Sequence, residues 1–371
     1  MRKSSMPVSV TAPVFLAGTD HGTSGQIKQA VRKAAQAATD FSWLSRGDRV
    51  CIKPVLNSGN PYPGTTSPLA VAAMIDLLKE KGAGRVVVGD MSGVEHVRFS
   101  RDRLSGSTRH LMATSGMAAA VLSAGGELCP FEEGGWHSFY PEFPVAGTHW
   151  HGALMMPEIL REVEHIVLMP RCGRHVLAGA SLGLKAVVGY WRTDTRMAYH
   201  RDAATFHEKT AEGNAVPTLL EKQRLVVTAA DKVLTTFGPD DGRVCRPATG
   251  LVIASQSVVA HDMISLAWLI VCRRSMPWIG RHSFPDNSRL LAGVGNRVIV
   301  GWLGGWKEAL AAEAFTKNTL DCIWDDRVLN HAYKVLGGRP VIALQVANGL
   351  VPADLARRLG EMTTPSKSPS I

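Results

Sequence analysis

Between Arg49 and Asp90 the chain carries two apolar runs with a capped helical pattern between them, and this stretch limits the fold more than any other. Arg49-Val50-Cys51-Ile52-Lys53-Pro54 reads as a strand closed by proline. Ser67 then stands as a helix N-cap with Pro68 at the first helical position. Val71, Met74, Ile75, Leu77 and Leu78 follow at helical spacing as far as Gly82. Val86-Val87-Val88-Gly89-Asp90 shows no polar alternation. A strand that is apolar on both faces needs cover on both, which is the setting of a parallel strand in an α/β layer. The three elements make one βαβ unit, whose crossover is right-handed in nearly all folds.

Similar signals recur downstream. His165 to Pro170 reads as a strand, Ala178 to Val188 as a small-residue helix, and Leu219 to Thr236 as a helix. Gly250 to Ser255 reads as a strand leading into a helix from Asp262, Val341 to Leu344 as a late strand, and Ala353 to Met362 as a closing helix. The expected fold class is α/β, a mostly parallel sheet flanked by helices, with two lobes around a cleft. The pattern predicts one large domain over residues 10–362, with a sub-lobe about 190–250. The polar residues 363–371 are expected to be a disordered tail.

The 371 residues carry 41 Lys+Arg against 32 Asp+Glu, a net charge of +9. An excess of this kind serves nucleic acid, a membrane surface or a small anion. Short basic clusters occur at Arg98-Arg101-Arg103 and Arg171-Arg174, but no stripe or reader module does, which argues against nucleic acid. The apolar run Met263 to Cys272 is too short to span a bilayer of roughly 30 Å. No signal-peptide pattern follows Met1-Arg2-Lys3, so a cytoplasmic location is the default. Six separated cysteines without a C-x-x-C pair exclude a ferredoxin-type iron–sulfur cluster within the chain. The glycines build no nicotinamide-binding G-x-G-x-x-G, and neither a Walker A motif nor a G-x-S-x-G elbow occurs. Trp268, Trp278, Trp302, Trp306 and Trp324 crowd the later half and allow a homo-oligomer surface.

Ligands of open α/β sheets sit beyond the carboxyl ends of the strands. That rule points to Lys53 to Thr66, Asp90 to His96, Arg171 to Lys185 and Ser255 to Asp262. Lys53 in a buried strand needs a partner, either an anionic ligand or an internal ion pair with Asp90. Asn57, Thr65 and Thr66 belong to the same polar group. Asp90 could bind a metal, orient a histidine or cap a helix. Arg171 and Arg174 suit a carboxylate or phosphate through their planar forks. His175 offers a general base or metal ligand, against the alternative of a loop hydrogen bond. Lys185 stands in the apolar context Leu182 to Gly189, where a buried amine loses charge and becomes nucleophilic or holds an anion. The alternative there is a snorkelling side chain. His200 and His207 lie seven apart on one helix face, beside Asp202 and Glu208, and either ligate a metal or belong to a solvated surface. His149-Trp150-His151 has strand period two, for which a structural reading is the commoner one. Gly238-Pro239-Asp240-Asp241-Gly242 reads as a turn.

These segments carry a resemblance. "VCIKPVLN" with "GTTSP", "LLKEKGAGRVVVGDMSG", "LMPRCGRHVLAGASLGLKAVVG", "TTFGPDDG" and "ASQSVVAHD" occur in the order of the domain of unknown function 362 family, over about Val50 to Asp262. The chain resembles that family with departures. Pro170-Arg171-Cys172-Gly173-Arg174-His175 replaces a P-K-x-K-x-H pattern, Ala186 stands where the family usually has Asn, and Ser257 where an Asp is expected. Asp262 matches, and the resemblance implies that the Gly238 to Gly242 turn borders the site. A more distant likeness is to the nickel-pincer lactate racemase family. There a His, a glycine-rich stretch, a cofactor-holding Lys and a further His follow one another, as His175, "AGASLG", Lys185 and His200 do here.

The resemblance implies isomerase- or oxidoreductase-like chemistry at a hydroxyl-bearing carbon of a small anionic, carboxylate-bearing substrate. Lys53, Asn57, Asp90, Arg171 and Arg174 would bind substrate or cofactor, with His175, Lys185 and His200 catalytic. A first alternative is a metal-dependent hydrolase or oxygenase, with nickel, iron or zinc on His175, His200 and Asp262. A second is a non-catalytic protein that binds an anion or nucleic acid.

Overall fold

The computed structural model describes residues 10–20, 23–276, 288–318 and 320–365. Its principal sheet has eight strands: β1 (Thr11–Asp20), β2 (Arg49–Pro54), β3 (Arg85–Asp90), β4 (Glu127–Pro130), β5 (His165–Met169), β6 (Gln223–Ala230), β7 (Thr249–Ser255) and β8 (Val341–Val346). Their spatial order is β8-β1-β7-β6-β5-β2-β3-β4. All run parallel except β7, which is antiparallel to both β1 and β6. The fold is therefore α/β with a mostly parallel sheet, as the apolar strands require.

β2 sits in the middle, with Val50 opposite Val86 on one side and His165 on the other. Its side chains alternate between two cores. Val50 and Ile52 pack with α1 (Ser24–Ala38) and α2 (Pro68–Glu80), while Cys51 faces Val87, Ile166, Tyr190 and Trp191. The Ser67 side chain caps α2 by accepting from the Ala70 amide, with Pro68 just inside, as the sequence implies. Further helices include α3 (Thr193–Arg201), α4 (Phe206–Glu212), α5 (Val258–Ser275), α6 (Arg289–Gly304), α7 (Arg327–Val335) and α8 (Ala353–Thr363).

Several expectations fail for identifiable reasons. Leu219 to Thr236 is not a helix: a short helix Pro217–Lys222 ends at Gln223, where β6 begins. The Leu-Glu-Lys start favours helix, but Val226, Val227 and Thr228 are β-branched and lie inside the sheet between β5 and β7. Ala178 to Val188 is a short strand, Gly179–Ser181, then a 3-10 helix, Leu184–Tyr190. Gly179 at φ 85° breaks any helix there. The helix after β7 starts at Val258, one turn before Asp262. Because β7 runs against its neighbours, its end at Ser255 pairs with Val226 near the start of β6, away from the other carboxyl ends. His149 and His151 lie outside any strand. Thr363 closes α8, and residues 366–371 lie outside the described ones, as does Trp278. Trp268 is buried, whereas Trp302 and Trp306 are exposed on α6 and the helix after it. No described helix is long and apolar enough to cross a membrane.

Candidate functional site

The carboxyl ends of β2, β3 and β5 bring the first polar group together. Lys53 leaves β2 fully buried, and its Nζ lies 2.8 Å from Asp90 Oδ1 at the end of β3. The ammonium also donates to the Pro54 carbonyl at 2.6 Å, while Asp90 accepts from the Leu56 and Met91 amides. Burial lowers the lysine pKa and raises that of the aspartic acid, against the attraction between them. A Cβ on Gly189 would stand 2.2 Å from Asp90 Oδ1 and 2.5 Å from Lys53 Nζ, so only glycine lets the 3-10 backbone come this close. The ion-pair reading of Lys53 is the one found, and both Asp90 oxygens are engaged within the protein.

Three buried arginines belong to the neighbouring segments, and they differ in what they face. Arg171, just after β5, donates through Nη1 to the carbonyls of Pro63, Gly64 and Pro239 and through Nε to Ser181 Oγ. Its Nη2 is buried and has no hydrogen-bond partner among the described residues. Arg196 on α3 donates to the carbonyls of Met91, Ser92, Gly189 and Trp191. Desolvation pushes both guanidiniums down to about 10, so both stay charged at neutral pH. Arg174 instead donates to the carbonyls of His175 and Gly179, and it lines neither of the two chambers formed here. Its expected anion-binding role is corrected to one within the loop.

The catalytic candidates follow on the same wall. His175 Nδ1 accepts from the Leu177 and Ala178 amides at 3.2 and 3.3 Å. Amides can only donate, so the neutral ring carries its proton on Nε2. Burial and the nearby Lys185 and arginine charges hold this histidine well below its usual pKa. The loop hydrogen bond is therefore present at Nδ1, and the ring also lines both chambers described below. His200 has the opposite polarity. Asn296 Nδ2 donates to the His200 carbonyl, so Asn296 Oδ1 accepts from His200 Nδ1 at 2.8 Å, and the lone pair lies on Nε2. Burial lowers its pKa to about 3.

Lys185 is half-buried, with Nζ 5.9 Å above the Tyr199 ring. Among the described residues it has neither an ion-pair partner nor a hydrogen bond from its amine. Desolvation, then repulsion from Arg196, Arg171 and Lys53, brings its pKa down to about 7. Asn57 donates to Asp240, and Pro239 of the same turn lines the cleft, so the Gly238 to Gly242 turn does border it.

Two adjoining chambers result. The inner one, of about 60 Å³, is lined by Lys53, Asn57, Asp90, Arg171, His175, Lys185 and Arg196 among others. The outer one, of about 240 Å³, adds His200 and the apolar face of α6 through Val298, Ile299 and Trp302. One water needs ~10–15 Å³ on this measure, so the inner chamber admits a carboxylate-sized group and the outer one the rest of a small molecule. Four cationic side chains line the inner chamber against the single carboxylate of Asp90.

The proposed metal set does not assemble. Asp262 Oδ1 accepts from the Gly183 amide and lies 2.8 Å from His261 Nδ1, and Oδ2 accepts from the Leu184 amide. These bonds hold the chain just before Lys185, so Asp262 positions that segment. His207 Nε2 donates to the Thr316 carbonyl and is structural. Arg196 and Asn296 escaped the sequence reading, because a polar residue on an amphipathic helix looks the same whether its head meets water or buried backbone.

A search of the curated proteins finds no match. Among solved structures, the chain is similar to a protein from Thermotoga maritima, with 12% identity and a TM-score of 0.45 over 92% of this chain and 91% of that one. It is also similar to a lactate racemase apoprotein from Thermoanaerobacterium thermosaccharolyticum, with 12% identity and a TM-score of 0.39, over 59% of this chain. The match spans 50% of that racemase. The family model described as domain of unknown function (DUF362) matches residues 50–267, from the start of β2 into α5 and over more than half the chain, and the chain belongs to that family.

Proposed function

We propose that the protein is an enzyme acting on a small carboxylate-bearing anion, with isomerase- or oxidoreductase-like chemistry at the carbon next to the carboxylate. The observation that carries this reading is Lys185, an amine without a counter-charge in a chamber where cations outnumber carboxylates four to one. A small anion supplies the missing charge. Arg171 Nη2 and Lys185 would take the carboxylate, and His175 Nε2–H would donate to a neighbouring oxygen. His200 stays neutral, since burial lowers its pKa to about 3, and its Nε2 lone pair would accept a hydrogen bond at the mouth.

The likeness of His175, Lys185 and His200 to the nickel-pincer racemase pattern raises the question of a bound cofactor. An unpaired amine near pKa 7 and an imidazole lone pair at the chamber wall fit such a group, with Lys185 as anchor and His200 as ligand. When bound, the group would supply reversible oxidation of a hydroxyl-bearing carbon. The rival metal set of His175, His200 and Asp262 finds no support, because Asp262 is spent on backbone amides.

The test is calorimetric titration with a panel of 2-hydroxycarboxylates, with substrate Cα exchange followed by NMR in D₂O and intact-mass analysis for an adduct on Lys185. Saturable binding of one carboxylate, lost in Lys185→Met, with exchange at Cα, is the expected result. Binding without chemical change would replace the enzyme reading with a capture protein. Absence of binding for every carboxylate would remove both.

A further inference from the structure

Outside the cleft, three potential ligands converge from separate parts of the chain. Glu212 ends α4 with its side chain 1% exposed, and its Oε1 lies 2.6 Å from His149 Nδ1 and 2.9 Å from His331 Nε2 on α7. All three atoms lie within 4.8 Å of one another. The two imidazoles stand edge-on, 5.0 Å between centroids. The carboxylate is fixed from behind by the Thr148 and His149 amides at 3.0 and 3.1 Å. Gly147, at φ 101°, brings the loop so close that a Cβ there would meet Glu212 Cδ at 2.1 Å.

We propose that His149, Glu212 and His331 form a binding site for a divalent transition-metal ion of the zinc or iron(II) class. Two imidazole nitrogens and one carboxylate oxygen are the donor set such ions prefer over calcium or magnesium. Ligand atoms about 2.0–2.2 Å from a metal stand roughly 3 Å apart at right-angle coordination, and the Glu212 contacts are already near that spacing. Binding needs no net proton loss from neutral rings. The proton on His149 Nδ1 moves to Nε2 and that on His331 Nε2 moves to Nδ1, and neither destination atom has a hydrogen-bond partner among the described residues. The His149 side chain is 29% exposed, which gives the ion an entry path and leaves a face for water. The ion would tie the loop at 147–149 to α4 and α7. Asn214, two residues past Glu212, donates to the Leu184 carbonyl, which ties the end of α4 to the residue before Lys185.

The experiment uses the full chain, stripped with chelator and then titrated with Co²⁺ as a visible-absorbing probe and with Zn²⁺ by equilibrium dialysis and elemental analysis. One equivalent is expected, with ligand-field bands of a nitrogen–oxygen site. His149→Ala and His331→Ala should each weaken binding at least about 100-fold, more than the 10–100-fold typical of losing an outer partner. His200→Ala should leave it unchanged, which separates this site from any metal held in the cleft. Because His149 is partly exposed, its variant keeps the fold even if Glu212→Gln does not, and circular dichroism checks this. No stoichiometric binding by the wild type, or wild-type affinity retained in either histidine variant, would overturn the proposal.

Discussion

His200 and Asn296 grip each other reciprocally across α3 and α6, the amide donating to the histidine carbonyl and accepting from its Nδ1, both at 2.8 Å. The pair does two things at once. It anchors α6, the apolar wall of the outer chamber, and it fixes the histidine tautomer with the Nε2 lone pair free. Asn296→Asp places a negative charge beside Nδ1–H and gives up the bond to the His200 carbonyl, because a carboxylate cannot donate. The charge favours imidazolium, so the His200 pKa should rise from about 3 by about 1–3 units. Imidazole ¹⁵N shifts against pH would register it; an unmoved titration would mean that His200 and Asn296 do not pair in solution.

Lys185 should be the most reactive lysine at neutral pH. Surface amines remain protonated until near pH 10.4, while desolvation and neighbouring cations bring this one to about 7. Brief acetylation at a series of pH values, read by peptide mass spectrometry, should give a Lys185 labelling midpoint near 7. Anion affinity should fall across the same midpoint as the positive charge is lost. A midpoint above 9 would show the amine to be paired or hydrated, and the charge argument for the substrate would go with it.

How far the residues alone reveal this site depends on what each one contacts. The unit from Arg49 to Asp90 was readable because its signals agree: apolar strands, a Ser67 cap and a proline at the helix start all point to the same element. Lys53, Asp90, Arg171, His175 and Lys185 were found by the rule that sites follow parallel strands. That rule misplaced Asp262, because no local pattern marks β7 as antiparallel. Arg174 and Arg171 are three residues apart with the same chemistry, and only the fold turns one guanidinium to the chamber and the other to the His175 and Gly179 carbonyls. His331 lies 182 positions from His149, so their meeting at Glu212 has no signal in sequence spacing.

The Lys53–Asp90 pair gives a double-mutant test. Asp90→Asn should cost about 3–5 kcal/mol, since it leaves a buried ammonium with a carbonyl but no counter-charge. Lys53→Met strands the carboxylate by a similar amount, and the double variant should recover much of the loss because neither charge remains. Chemical denaturation of the four proteins measures the coupling. Additive losses would mean that the two groups do not depend on each other, and that Lys53 is held by something else.

Acid should weaken the fold through its buried imidazoles, and His207 offers the cleanest measurement. Its Nε2 donates to the Thr316 carbonyl, and burial brings its pKa down to about 4, against about 6.5 in the unfolded chain. Between those values the unfolded ring holds a proton that the folded ring lacks. Unfolding therefore takes up a proton, and stability falls as pH falls through this window. At pH 5 the loss is ~2 kcal/mol for His207, with a similar amount for His200, out of a total of about 5–15 kcal/mol for a typical domain. Carboxyls raised by burial, with Asp326 at about 6, act in the opposite direction, so the absolute pH profile mixes both effects. Comparison with His207→Gln removes that ambiguity. The amide can still donate to Thr316 but does not titrate, and every carboxyl is shared by both proteins. Urea denaturation at pH 7, 6 and 5 should show the variant less stable or equal at pH 7, and gaining on the wild type by about 2 kcal/mol by pH 5. Parallel curves would show that His207 is protonated in the folded protein and that its site is wetter than its burial implies.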